Sequence, residues 1–296
     1  MTCCAGAMAD PACVNSSPSL SAIGRLAVAS LHAELVLYPK PGLVSLVDNG
    51  SHADMTAATF MRSLFTLRHY FRQIAFAGSI GAGFDHLTQL GVSAERRMLM
   101  VTAGINTHRG AIFFLGLLCA AAGRVMARQD APAAITPQAL RAAVTGQWGD
   151  ALARHCSQRP PAAHGSRAAV VHGVGGARVQ AASGMPAVFE IALPALQRTL
   201  TAGRSLYCAR IDALFSLLAQ LDDSNVYHRG GAAGAQVVRE LGQRFIARGG
   251  TADPHWQATA LAAHRFLVTR RLSPGGAADL LAATCLVHGL TAGARR

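Results

Sequence analysis

Three features of this sequence are suited to chemistry: a carboxylate that should face a core, a lone lysine among arginines, and three glycine-marked helix starts. Glu34 falls on one helical stripe with Ile23, Ala27 and Leu31. A carboxylate facing a core is costly unless it is paired, protonated or bound to a cation. The bland alternative is a stripe-edge position paired with an arginine. Lys40, in Tyr38-Pro39-Lys40-Pro41-Gly42, is the single lysine beside 26 arginines. A compact ammonium fits where a guanidinium does not, so its isolation marks either a site or an accident of composition. His52-x-Asp54 is a polar loop pair just before a helix, and Glu95 opens another apolar segment, where the helix dipole alone would explain it.

The helix starts are Asn106-Thr107-His108-Arg109-Gly110, Asp222-Asp223-Ser224-Asn225 running on to His228-Arg229-Gly230-Gly231, and Ser273-Pro274-Gly275-Gly276. Free N–H groups at a helix start bind anions, and glycine lets a phosphate approach the backbone. One such start is an ordinary capped helix. Three together, two of them carrying Arg and His, predict a polyphosphate pocket. None matches the P-loop pattern, and no strand precedes any of them.

The elements that must position these residues read as helices. Ser19 or Ser21 caps a helix running to about Leu37, and Tyr38-Pro-Lys-Pro-Gly ends it. Thr56 begins a helix carrying Phe60, Leu64, Leu67 and Phe71 at helical spacing. Further helices are expected over about 92–101, 109–127, 137–155, 187–201, 204–221, 232–247, 255–271 and 276–289. Alternating strand patterns are essentially absent, so the expected fold is all-α, one multi-helix domain over 19–296 with its active site at loops and helix N-termini. Residues 1–18 read as a tail, and Ser157 to Gly184 as the least regular stretch.

Composition narrows the function. Hydrophobic residues make up 51% and charged residues 14%, which excludes a disordered or coiled-coil chain. The longest apolar run, Gly110 to Gly123, has 14 residues; a bilayer needs about 20, so a buried helix is expected and no membrane partner. The first residues have no secretion pattern. A cytoplasmic chain with reduced cysteines follows as the expectation, and with no C-x-x-C pair no zinc site is expected. The net charge of +12 favours anionic partners. Arginines scattered along the chain and only 6% aromatics speak against nucleic acid and for phosphorylated small molecules.

On these residues the sequence resembles the triphosphoribosyl-dephospho-CoA synthase family. The matching segments are Glu34 through PKPGLV (39–44), the Gly50-Ser51-His52-Ala53-Asp54-Met55 loop, Glu95 with Met98, TAGINTHRGAIFFLGLLCAAAG (102–123), SGMPAVFEIALPAL (183–196), DDSNVYHRGG (222–231) and SPGGAADLLA (273–282). They appear in order over nearly the whole chain. Arg109 stands where the family has lysine, Ser224 where it has threonine, and Gln180 where a glutamate is usual.

The resemblance implies a pentosyl transfer. ATP donates its triphosphoribosyl group to the 2′-hydroxyl of 3′-dephospho-CoA, and adenine leaves. The product is the prosthetic-group precursor for the acyl carrier protein of malonate decarboxylase or citrate lyase, and the Arg- and Ala-rich form resembles the malonate decarboxylase branch. Four negative charges on ATP imply Mg²⁺. Glu34, Asp54 and Asp222 or Asp223 are the candidates for binding it or for facing the ribose. His52 and His108 are candidate acid–base or hydrogen-bonding groups. Lys40, Arg109 and Arg229 are expected phosphate contacts, with Asn106, Thr107, Gly110, Asn225, Gly230, Ser273, Gly275 and Gly276 around them. A homodimer is the default assembly. Two rival classes share parts of the pattern, a metal-dependent ADP-ribosyl hydrolase on a helical scaffold and a basic nucleic-acid-binding module.

Overall fold

The computed structural model describes residues 19–128, 135–158 and 176–292, and among them there is no β-strand. The helices are α1 (Leu20–Leu35), α2 (Ala57–Thr66), α3 (Arg68–Ser79), α4 (Phe84–Val101), α5 (Arg109–Ala127), α6 (Pro137–Gln158), α7 (Ala177–Ala182), α8 (Leu193–Thr201), α9 (Leu206–Gln220), α10 (Ser224–Ala247), α11 (Trp256–Thr269) and α12 (Gly275–Ala292). A π-helical turn at Ala187–Ala192 leads into α8, and a 3-10 turn at Gly250–Ala252 follows α10.

Local chemistry explains most boundaries. Ser19, not Ser21, caps α1 by accepting from Ala22 N at 3.2 Å, and Thr56 caps α2 by accepting from Thr59 N at 3.3 Å. The helix expected from Thr56 is two, α2 and α3, meeting at Leu67. The expected start near residue 92 lies inside α4, which begins at Phe84. The expected start at 232 is also late: α10 begins at Ser224 and breaks at Gly231, whose φ of 59° no helix interior adopts. Of the stretch expected to be irregular, 159–175 lies outside the described residues, as does the tail 1–18, while Ala177–Ala182 is helical.

The centre of the fold is α5, packed along α3 and against α12, α6 and α1. A Cβ at Gly78 of α3 would meet Ala120 O at 1.9 Å, and one at Gly123 of α5 would meet Ala75 O at 2.0 Å. Bare glycines therefore let α3 and α5 touch backbone to backbone. Both α5 and α12 are long and apolar enough to cross a bilayer, yet most of each is buried within the protein. The 14-residue run lies inside α5, as expected of a core helix.

The loop between α1 and α2 is held down by α11 and the segment after it. His264 of α11 contacts Lys40 O through Nδ1 (2.6 Å) and Asp48 through Nε2 (3.1 Å), and Ser51 Oγ donates to Leu272 O at 2.6 Å. This closure requires Gly42, where φ is 69° and a Cβ would lie 2.2 Å from Leu272 O.

Candidate active site

Glu34, at the end of α1, is 5% exposed, and Lys40 is 0% exposed. Lys40 Nζ reaches Glu34 Oε1 at 2.5 Å and the Glu34 carbonyl at 2.8 Å. Glu34 thus faces the interior, paired with the chain's single lysine and not with an arginine. Burial lowers the Lys40 pKa while Glu34 opposes the shift. The Lys40 ammonium, expected to contact phosphate, is directed at Glu34 within the fold.

Next to this pair lies His108, 3% exposed, at the start of α5. Its Nδ1 shares a 2.6 Å hydrogen bond with Ser63 Oγ, and its ring meets Phe60 edge-on. Desolvation first, and the Lys40 charge second, push its pKa down to about 3. It stays neutral through the physiological range, so of its two candidate roles burial favours hydrogen bonding. His108 Nε2 and Thr107 Oγ1 are shielded from solvent and find no hydrogen-bond partner among the described residues.

The three helix starts do converge. Asp223 caps its own helix α10 by accepting from Asn225 N at 2.9 Å, and it accepts from Ala277 N of α12, also at 2.9 Å. Gly276 N–H adds a third backbone donor. Asp279, one turn into α12, accepts from Ala111 N–H at the start of α5. Each of the three starts therefore already holds a carboxylate of the protein. A Cβ at Gly110 would meet Asp279 Oδ2 at 2.0 Å, one at Gly276 would lie 3.0 Å from both Asp223 oxygens, and one at Gly275 would lie 3.1 Å from Asn225 Nδ2. The close approach read from the sequence as a phosphate on glycine is made here by protein side chains. Gly230 is bare for a different reason, since a Cβ there would strike Leu272 Cδ2 at 2.6 Å.

Asp223 and Asp279 share one electrostatic environment. Burial raises the Asp223 pKa, against its backbone donors. Asp279 is raised well above the usual carboxylate range, by burial first and then by the Asp223 and Glu34 charges. It is closely surrounded yet only partly covered from solvent.

A second network closes one side. Arg229 donates from NH1 to Ser51 O (3.2 Å) and Arg271 O (3.1 Å), and from NH2 to His52 Nδ1 (3.1 Å). His52 Nε2 lies 2.9 Å from Ser273 Oγ. Because a guanidinium can only donate, Nδ1 accepts and the ring proton sits on Nε2, pointed at Ser273. Burial and the Arg229 charge lower the His52 pKa, with Asp54 opposing. With both nitrogens engaged, His52 positions Ser273 and Arg229 and has no free lone pair for a base.

Other expected residues are not brought in. The Asp54 side chain is 63% exposed, 3.8 Å from His52. Asp222 pairs with Arg239 on the surface at 2.6 Å. Arg109, an expected phosphate contact, pairs with Glu95 Oε1 from NH2 at 2.5 Å. Asn106 Oδ1 accepts from Arg109 N at 3.1 Å, bracing the turn before α5, whose N-cap is His108. Gln180 Oε1 accepts from Ala187 N at 3.2 Å, a bond that glutamate would make equally well. Glu34, Asp54, Asp222 and Asp223 do not form one cluster, and among the described residues no group of three or more His, Cys, Asp or Glu is arranged to hold a metal. The residue missed from the sequence is Asp279. Its signal was there: it is the sole Asp, Glu, Lys or Arg in the 18 residues of α12.

Fold and site together define an all-α protein with a buried carboxylate layer at three converging helix starts, a setting for polar group transfer. Residues 20–296 match the family described as CitG: ATP:dephospho-CoA triphosphoribosyl transferase, and the chain belongs to this family of transferases. It is 36% identical over 259 residues to a protein of Acinetobacter calcoaceticus named probable 2-(5''-triphosphoribosyl)-3'-dephosphocoenzyme-A synthase, covering 88% of this chain and 87% of the relative. A relative of the same name from Vibrio cholerae serotype O1 (strain M66-2) is 38% identical, covering 90% and 88%. The 2-(5''-triphosphoribosyl)-3'-dephosphocoenzyme-A synthase of Pectobacterium atrosepticum is 37% identical, covering 91% and 89%. No solved structure matches the chain.

Proposed function

We propose that the chain moves the triphosphoribosyl group of ATP to the 2′-hydroxyl of 3′-dephospho-CoA and releases adenine. The observation that supports this best is the meeting of three helix starts on one carboxylate layer, in a chain whose family is described by those two substrates. Breaking the ribosyl–adenine bond builds positive character at C1′, which nearby carboxylates stabilise in a water-poor site. Arg229, exposed and tied through His52 to buried Ser273, is the cation offered to phosphates, and the net charge of +12 draws in both anionic substrates. Lys40 acts one step back by holding Glu34.

Magnesium enters this reading as the companion of ATP's triphosphate, since Mg²⁺ is commonly held by substrate phosphates with one or two carboxylates. The carboxylates expected to cage it are dispersed, so no resident metal site is assigned to the chain. The product would serve the acyl carrier protein of malonate decarboxylase, with citrate lyase as the other system, and gene disruption that stops growth on malonate but not on citrate would support the first.

The test is incubation of the purified chain with ATP, Mg²⁺ and 3′-dephospho-CoA, following adenine by chromatography and the acceptor by mass. Adenine release that requires dephospho-CoA and matches its gain in mass is expected. Adenine released with free ribose triphosphate and no acceptor would make the chain a hydrolase and overturn the proposal.

A further inference from the structure

We infer that Asp279 is the catalytic base, the group that takes the proton from the attacking hydroxyl. This rests on the transfer reaction proposed above and names a residue for it.

Free valences distinguish the carboxylates. Three carboxylates share the buried layer. Glu34 is neutralised by Lys40 at 2.5 Å. Asp223 has both oxygens engaged, Oδ1 by Asn225 N and Oδ2 by Ala277 N, each at 2.9 Å, and is 5% exposed. Asp279 has one backbone donor, Ala111 N–H, no cation beside it, and a surface that solvent still reaches. Asp279 combines an oxygen without a donor, contact with solvent and no neutralising cation, which neither Glu34 nor Asp223 does.

Its surroundings point the same way. The carboxylate lies against bare Gly110 on the start of α5, where Thr107 Oγ1 and His108 Nε2 are two further polar atoms without partners among the described residues. Buried polar atoms are rarely left unpaired without a reason. Asp223, at the N-cap of α10, and Glu34, at the end of α1, face Asp279 with like charge, and Ala111 N–H at the start of α5 donates to it. Two like charges and burial hold its proton more tightly than an ordinary carboxylate does, which brings its basicity closer to the working pH.

In the step, the acceptor 2′-oxygen forms a bond to ribose C1′ as the C1′–N9 bond breaks. The electron pair of that bond goes to N9 of adenine. The hydroxyl proton passes to the Asp279 carboxylate and from there to solvent, and adenine takes a proton from solvent, so the balance closes without another reactant.

The experiment compares wild type, Asp279→Asn and Gly110→Ala for adenine release with ATP and dephospho-CoA across pH, with melting points alongside. Asp279→Asn keeps the acceptor for Ala111 N–H and removes the base. We expect kcat to fall by about 100-fold or more, with both KM values changed less than about threefold. The melting point should hold or rise, because a repulsive charge is gone, and the acid limb of the wild-type kcat/KM profile should vanish. Gly110→Ala keeps the acid but puts a methyl where Oδ2 lies, and should also lose most of kcat. An Asp279→Asn enzyme that retains the acid limb and half of kcat overturns the assignment. So does a lower melting point with normal turnover per folded molecule, which would make Asp279 a helix cap. If wild type itself shows no acceptor-dependent release, the transfer reaction fails and this role falls with it, a result seen before any variant is compared.

Discussion

Asp212 and Asp279 are both acids inside apolar helices, and they differ in what surrounds them. Asp212, on α9, accepts from Thr251 N (2.8 Å), Thr251 Oγ1 (2.8 Å) and Thr199 Oγ1 (2.6 Å), with Arg204 at 3.3 Å. Gly250, with φ at 60°, brings the 3-10 turn so close that a Cβ would sit 2.5 Å from Asp212 Oδ1. The result is a staple joining α8, α9 and the turn, with both oxygens engaged and a cation at hand. Asp279 has one backbone donor, Ala111 N–H, two like charges and no cation. A buried acid with a full set of donors and a counter-charge holds structure together. One left with a spare oxygen and repelled by its neighbours is available for chemistry.

The sharpest way to break this comparison is at Glu34–Lys40, which sits beside the site but is paired in the manner of Asp212. Lys40→Ala leaves a carboxylate buried without its cation and should cost about 3–5 kcal/mol in urea unfolding. The double variant Lys40→Met with Glu34→Gln should recover most of that loss, since no charge is then stranded. If the single variant is as stable as wild type, the pair is not the structural lock described here.

Asp212→Ala should cost about 2–4 kcal/mol by stranding the Thr251 and Thr199 donors. Turnover per folded molecule should not change at temperatures well below the melting point. A fall in kcat without a fall in stability would erase the contrast with Asp279.

The smallest expected effect concerns His108, whose ring stays neutral when folded. An unfolded imidazole takes a proton near pH 6.5 and the folded one only near pH 3, so acid favours the unfolded chain. Its contribution is complete above about pH 6.5 and falls as the pH drops toward 3, by at most about 1.4 kcal/mol per pH unit. His108→Gln, which keeps a polar partner for Ser63, should flatten this slope in urea midpoints measured between pH 5 and 7. An unchanged slope would assign the acid sensitivity elsewhere.

Much of this was legible in the sequence because it is local. The capping of α1 by Ser19 and α2 by Thr56, the span of α5 and the importance of three glycine-marked starts all follow from side chains acting within a few residues of themselves. So does the placement of Glu34 toward the core, since a helical period needs no knowledge of the partner. Motif resemblance added the family, which the matched relatives support.

Partners distant in sequence were not legible. Asp279 reads on its own as an acid suited to the first turns of a helix, where the dipole favours it; its like-charged neighbours come from residues 223 and 34, which only packing brings near. Asp222 and Asp223 are adjacent in sequence, yet one pairs with Arg239 at the surface and the other bridges two helix starts. The sequence by itself determined the helices, their caps and the set of charged residues, because propensity, periodicity and capping act over a turn or two. Only the tertiary structure decided which of those charges were neutralised and which were left free, because Coulomb energy and desolvation depend on distances in space that chain spacing does not contain.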